Sequence, residues 1–180
     1  GKSTFIKKFM DTLVLPNIQN DYRRERAMDE LPQSAAGRTI MTTEPKFIPE
    51  TAVPLQLEGG GACRVRLIDC VGYMVEGAMG HEEDAKPRMV KSPWFEQEVP
   101  FDLAAETGTR KVICEHSTIG VVVTTDGSIT DIPREDYLEP EARSVGDMKQ
   151  TGKPFLVLLN SQKPYSEETR ALAARMTEKY

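Results

Sequence analysis

Gly1-Lys2-Ser3-Thr4 opens the chain, and an apolar pattern succeeds it at once, with Phe5, Ile6, Phe9, Met10, Leu13 and Val14 recurring as pairs every four residues. That period predicts a helix with one wide apolar face, ending near Pro16, with Lys7, Lys8 and Asp11 on the other side. The tetrapeptide is the second half of a phosphate-binding loop, G-x-x-x-x-G-K-S/T, whose first glycine and preceding strand are not in this sequence. In the full motif, loop N–H groups and a helix N-terminus face phosphate oxygens, and the helix dipole favours their charge. Gly1, Lys2, Ser3 and Thr4 are therefore the candidate phosphate-binding residues. Lys2 would reach the β- and γ-phosphates, and Ser3 would set its hydroxyl on Mg²⁺. A Gly-Lys-Ser triplet also arises by chance as a surface turn before a helix, so its meaning depends on the motifs downstream of it.

The downstream segments are ordered like an α/β nucleotide fold. The charged segment Asn20 to Leu31, anchored by Tyr22, Ala27, Met28 and Leu31, predicts a mostly exposed helix stopped by Pro32. Gln33 to Pro45 has no apolar period and reads as a long loop, a feature that tends to be functional. Lys46 to Glu58 carries Phe47, Ile48, Val53, Leu55 and Leu57, the last three alternating as in a half-exposed strand, Gly59-Gly60-Gly61 supplies a turn, and Ala62 to Asp69 returns, which predicts an antiparallel edge hairpin. Cys70 to Phe101 lacks a period, with Trp94 and Phe95 as its expected anchors. A helix is expected over Leu103 to Ser117, with Val112 and Ile113 inward, and another over Pro133 to Gly152. The continuous runs Ile119 to Val123 and Phe155 to Leu159 predict strands buried on both faces. Ser166 should cap a last helix carrying Glu167 and Glu168 in its first turn and Lys179 in its last. Strands alternating with helices predict a mixed, mostly parallel sheet flanked by helices, the P-loop NTPase class, here lacking its first strand.

Composition bounds the function. The 180 residues, 39% apolar and 28% charged, suit one ordinary folded domain spanning 1–180. A net charge of −5 with no basic block argues against a general nucleic-acid binder, yet leaves room for a local phosphate pocket. Cys63, Cys70 and Cys114 lack metal-ligand spacing and form no even disulfide framework, so reduced thiols are expected, the first two as small buried hydrophobes. No run of about 18 apolar residues is present, so no transmembrane segment is expected. With no initiator Met and an opening inside a phosphate loop, the chain is expected to be a fragment truncated at both ends.

Three further motifs complete the candidate site. Nucleotides in such folds lie beyond the carboxyl ends of parallel strands. Asp69-Cys70-Val71-Gly72 gives D-x-x-G after a strand, so Asp69 is the second metal-site residue and Gly72 lets the backbone approach a γ-phosphate. An ordinary strand-ending turn is the plain alternative. Thr42 and Thr43 lie in the long loop, where a threonine of a switch-type NTPase completes the Mg²⁺ shell and senses the γ-phosphate; either could be the sensor. Arg38 reads as a solvated loop residue before it reads as a charge-stabilising one. After the last strand stands Asn160-Ser161-Gln162-Lys163, where a GTPase would show N-K-x-D. An ammonium at the aspartate's place repels guanine's N–H donors, which favours ATP, with Asn160 and Ser161 as candidate base contacts. Position 73 is Tyr and not the water-orienting Gln of switch-type GTPases, so hydrolysis should be slow or rely on another group; His81 is one candidate, though it reads first as an exposed histidine on a glycine-rich loop.

With these pieces in order, the chain resembles the NTPase domain of the stage IV sporulation protein A family, spore coat morphogenetic ATPases. The likeness covers nearly the whole chain. It rests on G-K-S-T-F-I-K, T-T-E-P-K-F-I-P, R-L-I-D-C-V-G-Y-M-V-E-G-A-M-G-H, H-S-T-I-G-V-V-V-T-T-D-G-S-I and K-P-F-L-V-L-L-N-S. The resemblance implies a translation-factor-like fold that uses ATP and Mg²⁺, with Lys2, Ser3, Thr42, Thr43 and Asp69 as site residues. It also implies ATP hydrolysis coupled to self-assembly into the spore coat basement layer. The implied place is the mother-cell cytoplasm, on the forespore's outer membrane surface, held by a small amphipathic membrane-anchoring peptide and joined by spore coat proteins. Two alternatives are a GTP-regulated switch that recruits coat partners and a structural scaffold with a degenerate nucleotide site.

Overall fold

The computed structural model describes residues 1–32, 44–78 and 86–180, together with the backbone of 82–83. The described residues form two compact units, one of 2–32 and 45–69, the other of 1, 44, 70–78, 82–83 and 86–180. Its class is mixed α/β.

The first unit is a helix-covered hairpin. Helix α1 (Lys2–Phe9) continues as a π turn, Met10–Val14, and a 3₁₀ turn, Leu15–Asn17. Pro16 has no N–H to extend the helical ladder, so the last turn tightens to the three-residue bond from the Ile18 N–H to the Leu15 carbonyl, 3.1 Å. Of the predicted face, Ile6, Met10 and Val14 are buried and Phe5 and Phe9 pack partly buried against them, but Leu13 is exposed, and Leu15 and Ile18 complete the stripe in its place. Helix α2 (Asp21–Asp29) begins at Asn20, whose side chain accepts from the Arg23 N–H at 2.9 Å. Its expected anchors need correcting: Ala27 is buried, Leu31 is half-buried, and Tyr22 and Met28 are exposed. Polar bonds do the holding instead, with Glu30 accepting from the Glu50 N–H at 2.8 Å and Arg26 pairing with Glu50.

Strands β1 (Lys46–Gln56) and β2 (Ala62–Asp69) pair antiparallel, from Lys46 opposite Asp69 to Gln56 opposite Ala62. The turn needs Gly59 and Gly60, whose φ angles of 98° and 91° suit glycine. Strand β1 starts well before the alternating Val53 and Leu55, because a bulge between Ile48 and Val53 breaks the period. The bulge carbonyls of Ala52 and Glu50 accept from Arg64 at 3.2 Å and Arg66 at 3.3 Å. Leu57 falls outside the strand and is exposed. Ile48, Val53 and Leu55 close the core against the α1 stripe.

In the second unit, short pairs precede the larger elements: β3 (Glu82–Glu83) with β4 (Lys86–Pro87), and β5 (Met89–Val90) with β6 (Val99–Pro100). Tyr73 and Phe101 are the buried aromatics here, whereas Trp94 and Phe95 are half-buried. Helix α3 (Phe101–Lys111) runs on as a π turn, Val112–His116, with Val112 and Ile113 buried. Strand β7 (Gly120–Thr125) pairs parallel with β8 (Phe155–Asn160), in register from Gly120–Phe155 to Thr125–Asn160. A 3₁₀ turn, Arg134–Tyr137, leads into α4 (Leu138–Thr151), and α5 (Glu167–Lys179) closes the chain. Ser166 caps α5 as expected, its hydroxyl accepting from the Thr169 N–H at 3.2 Å. A Cβ at Gly120 would lie 2.4 Å from Met148 Cε, so the missing side chain is what lets α4 settle on β7.

Two strand expectations change. Parallel pairing among the described residues is confined to β7 and β8, within four two-stranded sheets. Neither strand is buried on both faces: Val121 and Leu156 are exposed, because a two-stranded sheet covered by α4 leaves alternate side chains uncovered within this unit. The cysteines are free, with Cys63 and Cys70 half-buried and Cys114 exposed.

Candidate functional site

The first unit groups Lys2, Ser3 and Asp69. Asp69 ends β2 opposite Lys46 in the ladder and is buried, and Ser3, near the start of α1, is among the groups that act on its carboxyl. Burial pushes its carboxyl up, and the nearby charges of Lys2 and Lys46 with the Ser3 bond pull it down without cancelling that rise. Burial therefore outweighs the favourable influence of Lys2, Lys46 and Ser3 on the charged carboxylate. The donor chemistry fits Mg²⁺, a hard cation held by one or two carboxylates with phosphate and water completing its shell. Among the described residues no group of three or more His, Cys, Asp or Glu forms a metal cage, which is the requirement of a different kind of ion site. Thr4 is exposed on the first turn of α1.

The second unit gathers the remaining described candidates at strand ends. A Cβ on Gly1 would lie 3.5 Å from Val123 Cγ1 and 3.9 Å from Asn160 Nδ2, so Gly1 sits by the β7–β8 pair near the end of β8. Asn160 is half-buried as the last residue of β8, and its carbonyl accepts from the Asp126 N–H at 3.2 Å. The Ser161 hydroxyl lies 3.2 Å from that of Thr169 and accepts from the Lys163 N–H at 3.0 Å. Lys163, standing where a guanine-reading aspartate would be, is exposed.

Sequence reasoning missed the loop after β7. Asp126 accepts from the Ser128 N–H at 2.9 Å and the Ser128 hydroxyl at 2.6 Å, while that hydroxyl accepts from the Gln162 N–H at 2.9 Å. Burial pushes the Asp126 carboxyl up, but hydrogen bonds from Ser128 and Ser161 outweigh it and hold the group below its usual value. The available signal was Asp126-Gly127-Ser128 straight after an apolar run, with Gly127 at φ 90°. Gly72 has φ 88° and its N–H donates to the buried Thr109 hydroxyl at 3.1 Å. Thr42, Thr43, Arg38 and His81 lie outside the described residues.

Comparison with known proteins gives this geometry its class. Residues 1–180 match the family model described as Stage IV sporulation protein A, ATPase domain. Over all 180 residues the chain is 58% identical to Stage IV sporulation protein A of Bacillus anthracis, 58% to that of Bacillus subtilis (strain 168) and 53% to that of Clostridioides difficile (strain 630). The chain therefore belongs to the stage IV sporulation protein A family, within its ATPase domain. It spans 37% of the length of these relatives. No solved structure matches it. No described helix is long and apolar enough to cross a membrane.

Proposed function

We propose that residues 1–180 act as one P-loop ATPase domain of translation-factor-like type, and that hydrolysis of Mg²⁺-bound ATP drives self-assembly of the whole protein into the spore coat basement layer. The observation that carries this reading is the buried Asp69 carboxyl at the end of β2, in the same unit as Lys2 and Ser3 at the start of α1 and under their electrostatic influence. The ATPase domain named by the family model supports it.

Bound Mg²⁺ supplies charge neutralisation of the phosphates and a fixed geometry for the phosphoryl group. The Lys2 ammonium offsets charge building on the β- and γ-phosphates. Ser3 and Asp69 offer hydroxyl and carboxylate oxygens to the metal, the Gly1-to-Thr4 segment offers N–H groups, and Thr42 or Thr43 serves as the γ-phosphate sensor. Gly72 lends its N–H to the γ-phosphate, and Asn160 with Ser161 contacts the base. The Tyr73 hydroxyl is bonded to Asp147, so in this state it is not available to orient water, in keeping with slow turnover. The protein would act in the mother-cell cytoplasm at the forespore's outer membrane surface. Its partners would be copies of itself, a small amphipathic membrane-anchoring peptide and coat proteins.

The test uses the full-length protein. Phosphate release from ATP should fall by at least ~100-fold in Lys2→Ala and in Asp69→Asn, the scale of losing a charge-stabilising group. Normal turnover in both would refute the site. Displacement of ATP by an equal concentration of GTP would instead support a GTP-regulated switch, which the exposed Lys163 disfavours. Absence of Mg²⁺-dependent nucleotide binding would leave a structural scaffold.

A further inference from the structure

The first unit carries a groove of about 810 Å³ between residues 17–30 and residues 49–56 of β1, and every residue lining it belongs to that unit. Its size is that of a ligand cleft. Buried Ile18, Ala27 and Val53 give it an apolar floor, and Tyr22, 73% exposed, stands with the exposed Arg23 at its rim. Arg26 also lines the groove but is taken up by Glu30 and Glu50. Among the described residues the lining charge without an ion-pair partner is the Arg23 guanidinium. The turn between β1 and β2 has the opposite shape. The Leu57 N–H donates to the Gly61 carbonyl at 2.7 Å and the Gly60 N–H to the Leu57 carbonyl at 3.2 Å, which closes the turn on itself. A Cβ on Gly59 or Gly60 would meet nothing within 4 Å, so the tip stands clear. Leu57 is 52% exposed on this tip, and the exposed Glu58 beside it has no ion-pair partner among the described residues.

An apolar side chain next to a carboxylate on the tip complements an apolar floor next to a guanidinium in the groove. Tyrosine and arginine, the two rim residues, are also the types that carry binding energy at such contacts. Gln56 lines the groove and the chain runs from it straight into the turn, so a tip leads away from its own groove and meets that of another copy. We propose that the β1–β2 tip of one copy seats in the α2–β1 groove of a second copy, with Leu57 on the Ile18, Ala27 and Val53 floor and Glu58 paired with Arg23. This rests on the self-assembly reading above and names the surface through which the copies join. Tip and groove are different surfaces of one unit, so the contact is heterologous. Each added copy keeps a free tip or a free groove, and the row of copies extends.

The experiment follows pelleting of the full-length protein with ATP and Mg²⁺ over a range of protein concentrations. Leu57→Ser should raise the concentration needed for assembly about tenfold, the scale of an apolar side chain that the contact no longer buries. Glu58→Arg and Arg23→Glu each bring like charges together and should raise it at least ~10-fold. Equal parts of these two charge variants should assemble at the parent's concentration, because each tip then meets a groove of opposite charge. Phosphate release per copy, read below the assembling concentration, should match the parent's in all three variants. A fall in that release would trace the defect to the nucleotide site and overturn the contact. Parent-like assembly of the single variants, or a mixture no better than its components, would overturn the tip-in-groove contact while leaving the self-assembly reading intact. Failure of the parent protein to pellet would overturn both.

Discussion

Replacing Glu141 with Leu should be among the most damaging single changes in the second unit, and the structure sets its size. The Glu141 side chain is 2% exposed and pairs with Arg134, itself 15% exposed. It also accepts from the Thr124 hydroxyl at 2.7 Å and the Tyr180 hydroxyl at 2.7 Å. Arg134 adds bonds to Thr124 Oγ1 at 2.9 Å and the Thr125 carbonyl at 3.1 Å, and its Nε is buried with no partner among the described residues. Removing the carboxylate leaves that guanidinium buried and uncompensated, a loss of about 3–5 kcal/mol. Removing both charges as Arg134→Met with Glu141→Leu should recover more than half of the loss, because a well-packed apolar pair avoids desolvation altogether. The exposed Glu106–Arg143 pair is the internal control, and Glu106→Ala should cost under about 1 kcal/mol. Native-state amide exchange in β7 and α4 of the full-length protein reads these opening free energies directly. A Glu141→Leu cost under about 1 kcal/mol, or a double variant as unstable as the single, would refute the reasoning. The pH dependence has a definite sign. Burial pushes the Glu141 carboxyl up, but the Arg134, Tyr180 and Thr124 bonds outweigh it and hold it below its usual value of 4.5. Its contribution is therefore full above 4.5 and disappears as pH falls through the lower folded value.

The same physics sets two other outcomes. The Asp69 carboxyl, raised by burial above its usual 3.8, favours the folded state only while protonated, so that contribution is lost as pH rises through its folded value. Asp69→Asn should accordingly raise the melting temperature of the nucleotide-free protein at neutral pH while abolishing turnover; a lowered melting temperature would contradict the assignment. Gly120→Ala places a methyl 2.4 Å from Met148 Cε and 3.2 Å from Phe155 Cβ, and should cost about 1–3 kcal/mol by overpacking. Met148→Ala in the same chain should relieve part of that cost, measured by the same exchange experiment.

The sequence by itself determined the elements with a clean local signal. The apolar stripe of α1, the triple-glycine turn, the Ser166 cap and the acidic end of β2 all depend on period, backbone freedom or a side chain bonding a near neighbour. Such forces act over a few residues and can be read from spacing. The expectation that Lys2 and Ser3 act together with Asp69 comes from motif order, a different kind of signal from local period.

Only the tertiary structure decided the rest. The bulge in β1 hides half of its strand from any alternation count. Ala27, not the larger Tyr22 or Met28, is the buried contact of α2, because Arg26 and Glu30 bind the β1 backbone and side chains there. The Thr109 and Tyr73 contacts join residues 37 and 74 positions apart in sequence, and Glu141 draws its partners from β7, the 3₁₀ turn before α4 and the chain's last residue. A buried charge or a buried hydrogen bond has its energy set by whatever the fold brings within about 3 Å, and no local pattern in the chain carries that information.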